Sequence, residues 1–340
     1  MENKTRRVYR VKKKKKKLRR FMAFLSIVLL LGIGFAGYLF YQTYSAASDS
    51  FSALERGTKS ELREEQVYLS KNPVSILFLG VEDYSTKGEG GRTDSIIVGT
   101  FNPQLKTMKL LSIPRDTRTF IPAKDKKGKI NGAYNEGKEA TIETVENLLN
   151  IPIDYYATVN FEGFKKIVDE IGGVEVQVPF DFWEYTDTFP REKIYFKEGP
   201  AKLDGEEALA YARMRKRDDR GDYGRNDRQK EIIKSSIDAM VKPSNLLKID
   251  DIAKHVGDNV ETDIKMREGI AFLNKYKTFN SSDIDTLTLE GTEDTIGGAF
   301  YFIPSDESLQ NVQNELKKHL EMPVDEDETA ESDSQETEQQ

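Results

Sequence analysis

The chain has 340 residues, of which 37% are hydrophobic and 32% charged, enough apolar material for one large core or two small ones under a wet surface. It has no cysteine and only two histidines, His255 and His319. That excludes a disulfide framework and thiol chemistry and argues against a His-centred triad or a His-rich metal site, leaving any catalysis to carboxylates, Arg, Lys, Tyr or a hard metal ion. The net charge of -7 combines a basic N-terminus with an acidic C-terminus, so its sign alone names no partner.

Residues 1–20 are strongly basic, with unbroken lysines from Lys12 to Lys17. Residues 21–41 (FMAFLSIVLLLGIGFAGYLFY) then carry no charge. About twenty apolar residues span a bilayer as a helix. The basic flank predicts a cytoplasmic tail over 1–20, a single transmembrane helix over 21–41, and everything later outside the membrane. A cleaved signal peptide is the rival reading. The length of the apolar stretch and the distance to the small residues Ala46-Ala47-Ser48 favour an uncleaved anchor.

Residues 42–71 are polar with a helical flavour and read as a stalk or a first peripheral helix, and the globular domain is expected over 72–322. Buried-strand patterns occupy 74–81, 95–101 and 107–113. A helix is expected over 138–149, a strand over 155–160, a helix over 161–171 stopped by Gly172-Gly173, and a strand over 174–178. The stretch 181–190 is aromatic-rich and holds the only tryptophan, Trp183. Asp204 and Glu207 have capping-box spacing for a helix reaching Ala212. Further helices are expected from Asn226 or Asp227 to Met240 and over 245–255, 265–276 and 309–320, with a late strand over 282–289. Strands alternating with helices predict an α/β domain with a central mixed β-sheet packed between helices. Residues 323–340 are acidic, poor in apolar side chains and expected to be disordered.

Residues 212–229 concentrate arginine as no other part of the chain does. If the backbone extends after Ala212, Arg213 and Arg215 point the same way. If a following helix includes Arg225 in its first turn, Arg225, Arg228 and Gln229 share a face. Gly221 and Gly224 read as a loop between the two groups. Such converging guanidinium groups suit a dianionic or pyrophosphate ligand, because Arg stays charged and binds phosphate bidentately. Interleaved acids, Asp218, Asp219, Asp222 and Asp227, leave a solvated charge run as the bland alternative. Nucleic acid is the other ligand for such a cluster, but the expected topology places it outside the cell.

Several separated motifs occur in one order: Gly80-Val81-Glu82, Gly91-Arg92-Thr93-Asp94-Ser95, Ser112-Ile113-Pro114-Arg115-Asp116-Thr117, Lys129-Ile130-Asn131-Gly132-Ala133-Tyr134, Ala212-Arg213-Met214-Arg215 and Gly224-Arg225-Asn226-Asp227-Arg228-Gln229. Together they resemble the LytR-CpsA-Psr family of bacterial envelope proteins, most closely its teichoic acid transferase type. The resemblance implies an α/β/α domain and a membrane-anchored extracellular phosphotransferase of a Gram-positive envelope. It would move a glycopolymer from an undecaprenyl pyrophosphate carrier to the C6 hydroxyl of N-acetylmuramic acid in peptidoglycan, with Mg²⁺. It also implies that Arg92, Arg115, Arg213, Arg215, Arg225 and Gln229 contact pyrophosphate. Asp94 would be a metal-site carboxylate, with Glu82 at a position where many members have Asp and Asp83 as the fallback. Asp116 and Asp222 would orient arginines or take the acceptor's proton. A noncatalytic envelope regulator or carrier-binding protein, and a lipid pyrophosphatase using water, are the alternative readings.

Overall fold

The computed structural model describes residues 51–82, 93–246, 259–276 and 278–324. The basic tail, the apolar segment 21–41, the acidic tail from 325, Asp83, Arg92 and most of the helix expected over 245–255 lie outside these residues. Among the described residues, no helix is long and apolar enough to cross a membrane.

Strands β1 (Val74–Val81), β2 (Thr93–Asn102) and β3 (Thr107–Ser112) form an antiparallel meander. A short hairpin follows, β4 (Arg118–Ile121) with β5 (Lys126–Lys129), then helix α1 (Lys138–Leu149). The chain returns to the sheet as β6 (Tyr155–Asn160), parallel to β1, and continues as α2 (Phe161–Glu170), capped by Asn160. Beyond it come β7 (Val174–Val178), the hairpin β8 (Phe182–Tyr185) with β9 (Lys193–Phe196), and β10 (Gly199–Leu203), which pairs with β7. Helix α3 (Gly205–Arg213) starts at the expected Asp204–Glu207 capping box. Helix α4 (Gly221–Met240) is the longest described. The chain closes with β11 (Val260–Thr262), α5 (Met266–Lys275), β12 (Ile284–Thr288), the hairpin β13 (Gly291–Ile296) with β14 (Ala299–Pro304), and α6 (Asp306–His319).

The central sheet is mixed, in the order β11-β6-β1-β2-β3-β12. Side chains alternate across β1, so Leu77 and Leu79 face one layer while Val74 and Ile76 face the other. The first layer is closed by Val145, Leu148 and Leu149 of α1 and Val312 and Leu316 of α6. The second is closed by Ile233 and Ile237 of α4 and Phe272 of α5, with Tyr276 and Phe279 beyond it. A sheet buried on both faces reads as continuous apolar runs, which is why its strands were legible. A smaller core gathers α2, β7, the β8–β9 hairpin, α3 and Ile232 of α4. The apolar stretches 145–151, 161–171 and 232–240 thus contribute to these cores.

Two expectations need correction. From residue 51 on, the segment read as a stalk or peripheral helix is built of turns laid on the body, with Leu54 and Leu69 buried. Arg56 pairs with Glu146 at 2.9 Å and Arg63 with Asp154 at 2.7 Å. The segment looked polar because arginine forks hold it, together with a few buried apolar side chains. Second, α4 begins at Gly221, not at Asn226 or Asp227. Gly224 therefore marks a close approach within a helix, where a Cβ would lie 1.8 Å from Asp218 Oδ2.

Candidate active site

The register of the meander assembles the site. The β1–β2 pairing slips between Gly80 and Val81, which face Ser95 and Thr93, leaving Asp94 as the extra residue of a bulge. A bulge bends the strand and re-aims a side chain. Gly80 permits the close pairing, since a Cβ there would sit 3.1 Å from that of Ser95. On the other side of β2, Ile113 donates to Ile96 at 2.9 Å, so the residues after β3 run past Asp94. Arg115 Nη1 thereby donates to Asp94 Oδ1 at 2.5 Å.

The β4–β5 hairpin supplies the next contact. Lys129 ends β5, and its Nζ donates to Asp116 Oδ1 at 2.7 Å. Asp116 is buried, and Arg115 Nε lies 3.8 Å from its other oxygen. The first turn of α4 brings Asp222, which stands between Arg225 at 3.1 Å and Arg215 at 3.6 Å. One turn further along α4, Gln229 accepts from Ser95 Oγ at 3.0 Å and ties the helix to β2. The N-terminal end of a helix itself favours anions, through its outward N–H groups and its dipole.

Four cations, Arg115, Lys129, Arg215 and Arg225, thus face three carboxylates, Asp94, Asp116 and Asp222. Burial works against the charge of Arg115, but Asp94, Asp116 and Asp222 outweigh it and raise its pKa. Arg225 goes the other way. Its burial depresses the pKa, Asp222 opposes this, and Arg115 and Arg215 depress it further. Its neighbourhood is therefore short of negative charge. The buried Nε atoms of Arg115 and Arg225 also have no hydrogen-bond acceptor among the described residues. An added anion would answer both deficits. Arg115, Asp116, Lys129, Arg215 and Asp222 open onto a polar cavity of about 890 Å³, with Asn131 and Asn135 on its wall.

Of the residues singled out in the sequence, Asp94, Arg115, Asp116, Arg215, Asp222, Arg225 and Gln229 lie in this one assembly. Arg213 does not share its contacts. It ends α3, pairs with Asp187 at 2.9 Å and lies over the Phe161 ring, whereas Arg215 turns to Asp222. The expectation that both point the same way is corrected. Met214 is extended, but Asp187 pulls the first of the two guanidinium groups toward the β8–β9 turn. Arg228 turns inward, to Asp218 and the Met214 carbonyl, and leaves the face shared by Arg225 and Gln229. Glu82 follows β1 and is exposed.

Lys129, Asp187, Ser95 and Asp218 were not singled out for the site. Lys129 and Ser95 stand inside the recognised motifs, which was the only signal for them. Asp187 had only its place in the aromatic stretch.

Among the described residues, no three acidic or histidine side chains converge into a closed metal cage. The donor chemistry at the ends of β1 and β2 is nevertheless oxygen-only, from Glu82 and Asp94. One or two carboxylates plus substrate phosphates and water is the ligand set that suits Mg²⁺. The residues present fit that ion.

The LytR_cpsA_psr family model matches residues 37–318. The chain belongs to the LytR-CpsA-Psr family. It is 52% identical over 302 residues to TagV of Bacillus subtilis (strain 168), a polyisoprenyl-teichoic acid–peptidoglycan teichoic acid transferase, covering 87% of this chain and 77% of that protein. TagU of Halalkalibacterium halodurans, named for the same activity, is 41% identical over 293 residues, covering 85% of this chain and 93% of that protein. The fold matches a crystal structure of B. subtilis TagV with a TM-score of 0.68 at 52% identity, over 74% of this chain and 99% of that one. It also matches TagT bound to LIIa-WTA with a TM-score of 0.66 at 29% identity, over 80% of this chain and all of that one. This LytR-CpsA-Psr chain is accordingly an enzyme, a transferase, and its mixed sheet between helices is the family's architecture.

Proposed function

We propose that this chain is a membrane-anchored extracellular phosphotransferase. It moves a teichoic acid-type glycopolymer from a polyisoprenyl diphosphate carrier to a peptidoglycan hydroxyl. The observation that carries the reading is the convergence of Arg115, Lys129 and Arg215 on one polar cavity with more cations than carboxylates, with Arg225 joined to its wall through Asp222. The names of its TagV and TagU relatives support the substrate class.

Phosphoryl transfer passes through a loose transition state, so positioning and charge neutralisation matter more than covalent help. Arg115, Arg215 and Arg225 hold the nonbridging oxygens of the diphosphate. Asp94 orients Arg115, and Asp222 orients Arg215 and Arg225. Asp116 is held by Lys129 and braces the turn after β3. Gln229 completes the polar shell, and Arg92 and Arg213 are assigned to it by their motifs alone. Glu82 and Asp94 would hold Mg²⁺, which when bound supplies positive charge against phosphate oxygens.

The acceptor hydroxyl oxygen forms a bond to the polymer-side phosphorus. The bond from that phosphorus to the bridging oxygen breaks, and the lipid phosphate leaves with the electron pair. The hydroxyl proton is lost to that phosphate or to water. The names of the TagV and TagU relatives favour a peptidoglycan hydroxyl over water as the acceptor.

Reconstitution tests this. The full chain is given a polyisoprenyl diphosphate-linked teichoic acid precursor, peptidoglycan and Mg²⁺. Polymer joined to glycan, with lipid phosphate released one for one, is expected. Tight donor binding with no turnover across several polymers would instead make the chain a binding protein.

A further inference from the structure

The β8–β9 hairpin breaks the pattern expected of a half-buried pair of strands. Phe182, Ile194 and Phe196 face the smaller core, where the Phe182 and Phe196 rings stack at 4.6 Å. The opposite face of such a pair is ordinarily polar. Here the register sets Trp183 opposite Tyr195 and Tyr185 opposite Lys193 on that outer face. Tyr195 is 70% exposed, and Phe189, in the turn between the strands, is 92% exposed. Cations surround these rings. Lys193 Nζ is 3.9 Å and the Arg217 guanidinium carbon 3.5 Å from the Trp183 ring centre, Arg191 is exposed nearby, and Lys197 pairs with Asp181 at 3.3 Å. Rings amphipathic at one end, mixed with Lys and Arg, are the composition of a membrane–water interface. The Trp183 ring is already occupied by two cations, and the most protruding group, Phe189, has no polar atom. Both features suit a bilayer better than a stacked sugar.

Chain length restricts where this surface can go. Nine residues, 42–50, separate the uncharged segment 21–41 from Phe51. Fully extended, that link reaches only about 35 Å. A body of this size is about 50 Å across. If residues 21–41 cross the membrane, Phe51 stays within that reach of the bilayer, and the body is held close to it. Asp187, within the β8–β9 turn, holds Arg213, which lies two residues before the site's Arg215.

We propose that the outer face of the β8–β9 hairpin docks on the headgroup region of the bilayer, with Phe189 inserted and Arg191 and Lys193 at lipid phosphates. Docking sets the Asp187–Arg213 pair at the level where a membrane-borne diphosphate is presented. The inference rests on the reading that the donor is carried on a lipid.

Trp183 is the only tryptophan in the chain, so its fluorescence reports this hairpin alone. The full chain is reconstituted in phosphatidylglycerol liposomes, with bromine on the acyl carbons nearest the headgroup or without bromine. Quenching by the brominated lipid is expected, and its loss in Phe189→Ser/Tyr195→Ser, both exposed positions. Equal brightness in the two lipids, or quenching unchanged in the double variant, overturns the proposal. So does quenching seen only when glycan fragments are added, which would make the face a sugar platform. Transfer is measured in the same liposomes and in detergent. The double variant should lose activity on liposomes and keep it in detergent. Quenching as expected without any transfer by the wild type would leave the docking standing and refute the catalytic reading instead.

Discussion

Asp218 reaches Arg228 at 2.5 Å by lying across the bare backbone of Gly224. Both side chains are almost fully buried. Arg228 also donates to the Met214 carbonyl and lies near the Phe182 and Tyr211 rings. This pair locks the connection carrying Arg215 onto the helix carrying Asp222 and Arg225. A Gly224→Ala change should displace Asp218 and strand the Arg228 charge. Breaking a buried pair from one side costs about 3–5 kcal/mol. Chemical denaturation should show a loss of that order, with activity falling even where the protein remains folded. A stability within about 0.5 kcal/mol of wild type would contradict the packing described.

Arg115 is expected to resist conservative replacement. Its guanidinium spans Asp94 and Asp116, a geometry that a lysine ammonium cannot reproduce. Arg115→Lys should lower kcat by about 10²–10³-fold, the usual cost of one preorganised donor on a developing charge. Thermal unfolding should shift little, since the residue is partly exposed. A kcat near wild type would move the diphosphate away from Arg115.

His319 makes folding stability depend on acid. Its ring lies between Thr100 Oγ1 at 2.7 Å and Thr107 Oγ1 at 2.9 Å. Burial first, and then Lys109, push its pKa down to about 4, with Asp285 and Glu315 opposing. The folded value lies below the ordinary histidine value of 6.5. The unfolded chain therefore takes up a proton that the folded chain refuses. The neutral ring's contribution is complete above pH 6.5 and is lost as pH falls toward 4, by about 2–3 kcal/mol. Melting curves of wild type and His319→Gln across this window should converge as pH falls. Parallel curves would remove His319 from the account.

Metal removal gives a separate check on the ends of β1 and β2. Chelation by EDTA should abolish transfer, and Mg²⁺ should restore it. Asp94→Asn should not be rescued by added Mg²⁺, whereas Glu82→Asp, which keeps a hard oxygen donor, should need only a higher Mg²⁺ concentration. Isothermal titration with donor present would show whether the metal site is lost in Asp94→Asn. Undiminished transfer in excess EDTA would dissociate the reaction from the metal.

The strands of the sheet were legible because burial on both faces makes β1, β2 and β3 nearly continuous apolar runs. The capping box at Asp204 was legible because it is a local contact. The β4–β5 hairpin was not, since Lys126, Lys127 and Lys129 carry no strand signal. Gly297 and Gly298 turn β13 into β14, but the exposed Thr and acidic side chains of β13 hide the alternation. In the site, Arg115, Arg215 and Arg225 stood out through their motifs. The partners that aim other charged groups did not, because Lys129–Asp116 and Asp187–Arg213 join residues brought together only by folding. Arg213 shows the limit of periodicity. Alternation placed it beside Arg215, and a buried carboxylate elsewhere in the chain decided otherwise.

The central claim is that the diphosphate is opened by a glycan hydroxyl held in the cavity of Arg115, Arg215 and Asp222, not by water. The most direct measurement runs the reaction in H₂¹⁸O with donor, peptidoglycan and Mg²⁺, and weighs both products. The account predicts polymer joined to glycan through a phosphodiester without ¹⁸O, and lipid phosphate also without it. Unjoined polymer with ¹⁸O in its terminal phosphate would show that the site hydrolyses its donor and would contradict the account.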